Sequence, residues 1–102
     1  MKNQIIRKIF NGFIYIHILH HGTEGEFYGS WMMEELKEHG YKVSPGTLYP
    51  VLKSMVDVDL IEKHERVVDG KVRKYYRTTE SGKELLIELK GNLAELIHEV
   101  EK

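Results

Sequence analysis

The dipeptide Asp69-Gly70 is the feature that most constrains the fold of this chain. Asp-Gly is a preferred two-residue turn of a β-hairpin, because such a turn needs residues that accept positive φ angles. Runs of extended character flank the turn, Ile61–Val68 before it and Lys71–Thr78 after it. The remaining segments with a clear periodicity are helical, so we predict a mainly α domain with one small β-hairpin.

The two-residue turn fixes which residues face each other across the hairpin. The predicted pairs are Val67 with Val72, Glu65 with Lys74, Glu62 with Arg77 and Arg66 with Arg73. Two pairs of opposite charge favour this register, whereas Arg66 opposite Arg73 is repulsive. One face carries His64, Arg66, Lys71, Arg73, Tyr75 and Arg77, and Glu62 is the only acid on that face. Because a polyanion on that face would relieve the repulsion, Arg66 is a candidate nucleic-acid contact.

Four helices are predicted around the hairpin. The first covers about residues 5–20, is apolar on more than one face and is followed by a loop over residues 22–25. The second covers about residues 28–39 and stops at Gly40. The third has Ser44 as its N-cap and Pro45 as its first residue, with Tyr49 and Lys53 pointing away from its apolar face.

The fourth helix, which has Thr79 as its N-cap, carries an apolar stripe at alternating spacings of three and four residues. One small domain cannot cover this stripe, so we expect a homodimer that forms through this helix and the first one. The candidate interface residues are Leu86, Leu89, Leu93, Leu96, Ile97 and Val100.

The order of elements is helix, helix, short turn, helix, hairpin and long helix, as in a winged helix-turn-helix followed by a dimerisation helix. We expect one domain over residues 1–102, with the winged helix-turn-helix over about residues 5–78 and the dimerisation helix over 79–102. The net charge of −1 excludes a chain that coats nucleic acid by bulk positive charge. The cations are instead local, because residues 71–77 hold four of them and no acid.

Several motifs of the chain resemble the PadR-type transcriptional regulators. They are Tyr28-Gly29, His39-Gly40-Tyr41, Ser44-Pro45-Gly46-Thr47-Leu48-Tyr49-Pro50-Val51-Leu52, Leu60-Ile61-Glu62, Gly70-Lys71, Arg73-Lys74-Tyr75-Tyr76-Arg77 and Thr79-Glu80-Ser81-Gly82. The resemblance extends over about residues 13–100. The chain departs from the family at Asp59, where the family usually has Gly, and its single C-terminal helix resembles that of the small subgroup.

The resemblance implies a cytoplasmic, dimeric winged-helix repressor that binds a palindromic operator in double-stranded DNA and that a small molecule often releases. It places Ser44, Gly46, Thr47, Tyr49 and Lys53 on the DNA-facing side of the third helix. It also implies wing contacts by Lys71, Arg73 and Lys74. No nucleophile–base spacing and no phosphate-binding glycine loop is present, so we do not expect an enzyme.

Two other functions remain open at this point. A winged helix can instead be an adaptor that docks on other proteins. The other alternative is a metal-responsive regulator, because His17 and His21 lie four residues apart, with His20 and Glu24 nearby, and such a pair can hold zinc when a third ligand joins it. Histidines at a helix end are also explained by the helix dipole, so the principal prediction includes no metal and no cofactor.

Phe27 and Trp31 are predicted to lie four residues apart on the second helix, away from its core face. They are candidates for the floor of a site for a small aromatic or hydrophobic effector, or else for simple packing. Tyr76 is assigned to the core rather than to a phosphate contact. No apolar run approaches the roughly 20 residues that span a bilayer, so we expect no membrane partner.

Overall fold

The element order agrees with the predicted fold class. The computed structural model describes residues 1–102 and contains, in chain order, α1 (Lys2–Glu24), α2 (Gly29–Glu38), α3 (Pro45–Asp57), β1 (Ile61–Val68), β2 (Lys71–Thr78) and α4 (Glu80–Val100). The chain is therefore mainly α with one hairpin, and a long C-terminal helix follows the winged helix-turn-helix. No helix combines the length and apolar character that crossing a membrane requires.

The hairpin forms in the predicted register, including the Glu62–Arg77 and Arg66–Arg73 pairs. Asp69 and Gly70 adopt φ angles of 52° and 76°, as the tight turn requires. Val67 and Val72, near the turn, are 71% and 64% exposed, whereas the base of the hairpin is buried. The tip of the wing therefore projects beyond the core.

An isolated β-bridge between Phe27 and Tyr76, near the base of the hairpin, was not predicted. The Phe27 N–H donates to the Tyr76 carbonyl at 2.9 Å, and the Tyr76 N–H donates to the Phe27 carbonyl at 2.8 Å. The two rings stack with centroids 5.6 Å apart. Because α2 begins only at Gly29, the prediction that Phe27 and Trp31 share one helix was wrong.

The predicted loop over residues 22–25 is also wrong for its first three residues, because α1 continues to Glu24. Gly22 is buried in this helix, and a Cβ atom there would collide with the Thr78 hydroxyl and lie 2.9 Å from the Thr78 nitrogen. That hydroxyl donates to the Leu19 carbonyl at 2.8 Å. Gly22 therefore permits close packing of α1 on the end of β2 rather than a turn.

The end of α3 explains the tolerance of Asp59 where a glycine is usual. Asp59 has a φ angle of 60°, in the left-handed region that Asp enters more easily than most residues. Its N–H donates to the Val56 carbonyl at 3.0 Å, and the Leu60 N–H donates to the Met55 carbonyl at 2.9 Å. This pair of bonds is a Schellman motif, which satisfies carbonyls at the helix end.

The core joins all the elements. It contains Ile14, Ile18 and Leu19 of α1, Met32 and Leu36 of α2, Leu48, Leu52 and Met55 of α3, and Phe27, Ile61, Tyr76 and Leu86. The assignment of Tyr76 to the core is thus confirmed. Leu86, which was a candidate interface residue, is only 5% exposed and packs within its own chain.

Both long helices extend past this core with apolar side chains exposed. On α1 these residues are Ile5, Ile6, Ile9 and Phe10, and on α4 they are Leu96, Ile97 and Val100. Leu89 and Leu93 are half-buried, and Leu89 packs against the core. The exposed apolar area thus lies on the far ends of the two helices.

Candidate nucleic-acid interface

The first turn of α3 faces solvent. Ser44, Pro45, Gly46 and Thr47 are all exposed. The Ser44 hydroxyl donates to the Thr47 hydroxyl at 3.3 Å, and no side chain caps the helix. The positive end of the helix dipole is therefore open to an anion or to an acceptor on a base edge.

Tyr49 lies beside this turn and packs against α2. A Cβ atom on Gly29 would lie 2.6 Å from the Tyr49 ring carbon Cζ, so Gly29 leaves the space that the ring occupies. The Tyr49 side chain remains 43% exposed, which separates it from the buried face of α3. It borders a groove between α2, α3 and β2 that is lined by Tyr28, Gly29, Ser30, Tyr49, Val72, Arg73 and Lys74.

A second groove lies between α3 and the wing, and three lysines line it. They are Lys53, Lys63 and Lys74. The Lys53 ammonium donates to the Asp57 carboxylate at 2.9 Å, but both side chains are exposed, so the pair is weak. Lys63 was missed in the sequence, although strand alternation places it directly opposite Tyr76, on the side of the hairpin that faces α3.

Arg66 is already engaged within the chain. Its guanidinium donates to the Glu26 carboxylate at 2.5 Å and lies 3.9 Å from the centroid of the Tyr75 ring. Arg73 lies 4.7 Å from the centroid of the Tyr28 ring. The expected repulsion between the two arginines is therefore relieved internally by an acid and two aromatic rings, because the segment before α2 reaches the wing.

The Arg77 guanidinium is also committed to an intramolecular partner, since it donates to the Glu62 carboxylate. This hydrogen bond and a second one from His64 hold the pKa of Glu62 below its ordinary value. The same Glu62 bond raises the pKa of Arg77. Among the wing cations, Lys63, Lys71 and Lys74 form no ion pair within the chain and are exposed, so they are the most available to a phosphate.

The two candidate effector residues do not form one surface. Phe27 is only 2% exposed and packs in the core, whereas Trp31 is 40% exposed. The Trp31 ring meets the His21 ring edge to face, with centroids 5.8 Å apart. Only Trp31 is therefore accessible to a ligand.

The predicted His17–His21 pair lies on one face of α1 with the rings stacked, and a third histidine joins it. His39, at the end of α2, has its ring centroid 5.0 Å from that of His17 and 6.0 Å from that of His21. His39 could not be grouped with the pair from the sequence, because only the packing of α2 on α1 brings the three residues together.

Similarity to known proteins extends over nearly the whole chain. The model of the family described as the transcriptional regulator PadR-like family matches residues 18–88. The transcriptional regulator Rv3488 of Mycobacterium tuberculosis is 47% identical over 85 residues, which are 83% of this chain and 79% of that protein. The PadR-like regulator of Bacillus cereus is 32% identical with a TM-score of 0.82 over 92% of this chain and 93% of that one. A PadR family regulator of Eggerthella lenta is 26% identical with a TM-score of 0.86 over 96% and 87% of the two chains.

Proposed function

This chain belongs to the PadR-like family of DNA-binding transcriptional regulators, and from that premise we propose that it is a cytoplasmic, homodimeric repressor that a small molecule releases from a palindromic operator. The family consists of transcriptional regulators rather than enzymes. A dimer bound across a promoter would repress transcription by occluding the polymerase.

The exposed first turn of α3, next to a basic wing, is the observation that carries this proposal. In the proposed complex α3 enters the major groove, and Ser44, Gly46, Thr47 and Tyr49 approach base edges. Phosphates lie against Lys53, Lys71, Arg73 and Lys74. Lys63 lines the same groove as Lys53 and joins the phosphate contacts. Arg66 is assigned to holding the wing against the segment before α2, because its guanidinium is paired with Glu26.

The exposed apolar ends of α1 and α4 support the homodimer, since burial of such side chains against a second copy is favourable. The proposed interface contains Leu89, Leu93, Leu96, Ile97 and Val100 of α4. A twofold axis between two copies would place two α3 helices on successive turns of one DNA face, about 34–36 Å apart. That arrangement requires an operator with two inverted half-sites.

The exposed Trp31 supports the release by a small aromatic or hydrophobic effector, because its ring offers a flat apolar surface. Since Phe27 is buried, Trp31 is the one residue of this chain that we assign to the effector site, and the partner protomer supplies the rest of the site. Effector binding is measurable as a change in tryptophan fluorescence, because Trp31 is the only tryptophan of the chain.

The salt dependence of binding to duplexes tests the DNA interface. Lys71→Ala and Lys74→Ala should each weaken binding to all sequences alike and flatten the log–log salt slope by about 1 unit, as loss of a phosphate contact does. Lys90→Ala, on the exposed surface of α4, is the matched control and should leave the slope unchanged. Equal slopes for all three variants and the unsubstituted protein would exclude the wing from the DNA interface.

A further inference from the structure

Three histidines and a glutamate converge where α1 meets α2. His17, His21 and His39 each present a ring nitrogen, and these nitrogens all lie within 4.8 Å of one another. The Glu35 carboxylate oxygen Oε1 is 3.6 Å from His21 Nε2 and 3.4 Å from His39 Nε2. Four ligands bound tetrahedrally at about 2.0–2.1 Å from a zinc ion are about 3.3 Å apart, so the two contacts of Glu35 already have nearly that spacing, and the three histidine nitrogens have to move closer together.

His21 is the most informative member of this cluster because it is buried yet unsatisfied. Its side chain is 8% exposed, and its Nε2 atom has no hydrogen-bond partner. Its Nδ1 atom lies 3.1 Å from the Glu24 carboxylate. When Nδ1–H donates to Glu24, the lone pair of Nε2 points at the Glu35 carboxylate, so two acceptors face each other without a proton between them. A cation at this point satisfies both groups.

The contact with Glu24 is the arrangement that metal-binding histidines usually show. Such a histidine donates its second ring N–H to a carboxylate, which fixes the tautomer and orients the ring. The His17 side chain is half-buried, and its ring centroid lies 5.8 Å from that of His21 and 5.0 Å from that of His39. His39 is half-exposed, which gives an ion a route from solvent.

We propose that His17, His21 and His39, with Glu35 as the fourth ligand, bind one divalent transition-metal ion of the zinc type. Three imidazoles and one carboxylate suit zinc and cobalt, whereas calcium and magnesium prefer oxygen ligands alone. The site is a structural clamp between α1 and α2, because His17 and His21 belong to one helix and Glu35 and His39 to the region of the other.

The position of the clamp gives the metal a regulatory role, a consequence that rests on the proposed function. His39 is followed by Gly40 and a short segment that leads to Ser44, where α3 begins. An ion that fixes His39 against α1 therefore restrains the start of α3 relative to the proposed dimer helices. Zinc should change operator affinity, whereas metal binding itself requires no DNA.

The test uses tag-free, chelator-treated protein, with Zn²⁺ and Co²⁺ as probes. We expect one equivalent of Zn²⁺ to raise the melting temperature by several degrees, because the ion binds only the folded chain. One equivalent of Co²⁺ should give the visible absorption bands of a tetrahedral complex and quench Trp31, whose ring lies beside His21. Loss of the carboxylate in Glu24→Gln should weaken binding by about 10–100-fold.

Single substitutions identify the ligands. His17→Ala and His39→Ala should lose metal affinity by more than about 100-fold, the upper range for an outer partner, while circular dichroism shows that the folds are unchanged. His20→Ala is the matched control, because His20 is an exposed neighbour on the same helix and belongs only to the alternative group with His21 and Glu24.

Two outcomes would overturn the proposal. One is no binding of either ion by the unsubstituted protein, and the other is binding that His20→Ala abolishes while His17→Ala and His39→Ala retain it. Metal binding without an effect on operator affinity would overturn only the regulatory consequence. A failure to bind any DNA, with metal binding intact, would instead contradict the proposed function.

Discussion

At the scale of single residues, the clearest functional arrangement is the contact between Tyr49 and Gly29. The glycine supplies the space for the ring, and more than two-fifths of the side chain still reaches solvent at the start of α3. The hydroxyl and the adjoining edge of the ring lie over Gly29, and the side chain borders the groove between α2, α3 and β2. The substitution Tyr49→Phe removes only the hydroxyl oxygen and therefore tests DNA contact separately from the packing of the ring.

We predict that Tyr49→Phe keeps the melting temperature within a few degrees and weakens specific operator binding by about 0.5–1.5 kcal/mol, the value of one hydrogen bond. The ring that fills the space over Gly29 is retained, so the folded state loses little. Tyr15→Phe, at another partly exposed tyrosine on α1, is the control and should change neither quantity. Operator affinity and melting temperature are measured on the same samples. An unchanged operator affinity would assign Tyr49 to packing alone.

Local chemistry made some residue roles predictable. The N-cap positions Ser44 and Thr79 and the turn at Asp69-Gly70 were predictable because each depends on a few neighbouring residues. The Thr79 hydroxyl accepts from the Gly82 N–H, whereas the Ser44 side chain makes no capping hydrogen bond. The partner of Arg66 was not readable, because Glu26 is 40 positions away in the chain and only the fold brings it near. Interactions of that kind carry no local signal.

At the scale of whole elements, two glycines of α4 have opposite roles. A Cβ atom on Gly82 would collide with the Leu60 carbonyl and lie 2.6 Å from Thr78 Cγ2, whereas one on Gly91 would meet nothing within 4 Å. Gly82 thus lets the start of α4 approach the segment between α3 and β1. Gly91 has no such role and only lowers the helix propensity.

Replacement by alanine should therefore change the free energy of unfolding in opposite directions at Gly82 and Gly91. Gly82→Ala is expected to destabilise the protein by about 3 kcal/mol through overpacking against backbone. Gly91→Ala, which serves as the control, is expected to stabilise it by about 1 kcal/mol through helix propensity. Urea denaturation of both variants gives the two values, and destabilisation of equal size at both sites would contradict the packing argument.

Helices and strands with a clear period were predictable, and their ends were less so. The period of 3.6 or 2 residues reflects one face turned to the core, a property that each segment carries in its own sequence. Gly22 was misread as a loop signal because a glycine that permits close packing looks the same as one that permits a turn. The bridge at Phe27 was missed because a single bridge leaves no alternation to detect.

At the scale of the whole molecule, the main feature is that the exposed apolar surface lies at the start of α1 and at the end of α4. The radius of gyration of 14.9 Å and the longest extent of 55 Å reflect the two helices that extend past the core. Fold class and element order followed from the sequence, since they depend on the pattern alone. The apolar stripe of α4 is continuous in the sequence and does not reveal where the core ends. The sequence therefore could not show which leucines of α4 pack in the core and which remain outside it.

We predict that Leu96→Asp combined with Val100→Asp converts a dimer into a monomer. Both side chains are exposed in the single chain, so the substitutions alter the proposed interface without opening the core. Ile87→Asp is the matched control, because Ile87 is exposed on the same helix but lies off the stripe. Sedimentation velocity reports the mass of each variant. A double variant that remains dimeric would place the interface elsewhere.

The bridge between Phe27 and Tyr76 also has a consequence for the kinetics of folding and opening. A hairpin closed by a two-residue turn forms within about 1–10 μs from contacts between near neighbours. The bridge instead joins segments separated by all of α2 and α3, so it closes only after those helices have packed. Both residues are buried in the core, so in hydrogen exchange followed by NMR their amides should exchange only through global unfolding, whereas those at the wing tip exchange through local opening. Slow exchange at both amides would show that the bridge opens together with the core, and fast exchange would show that it opens by itself.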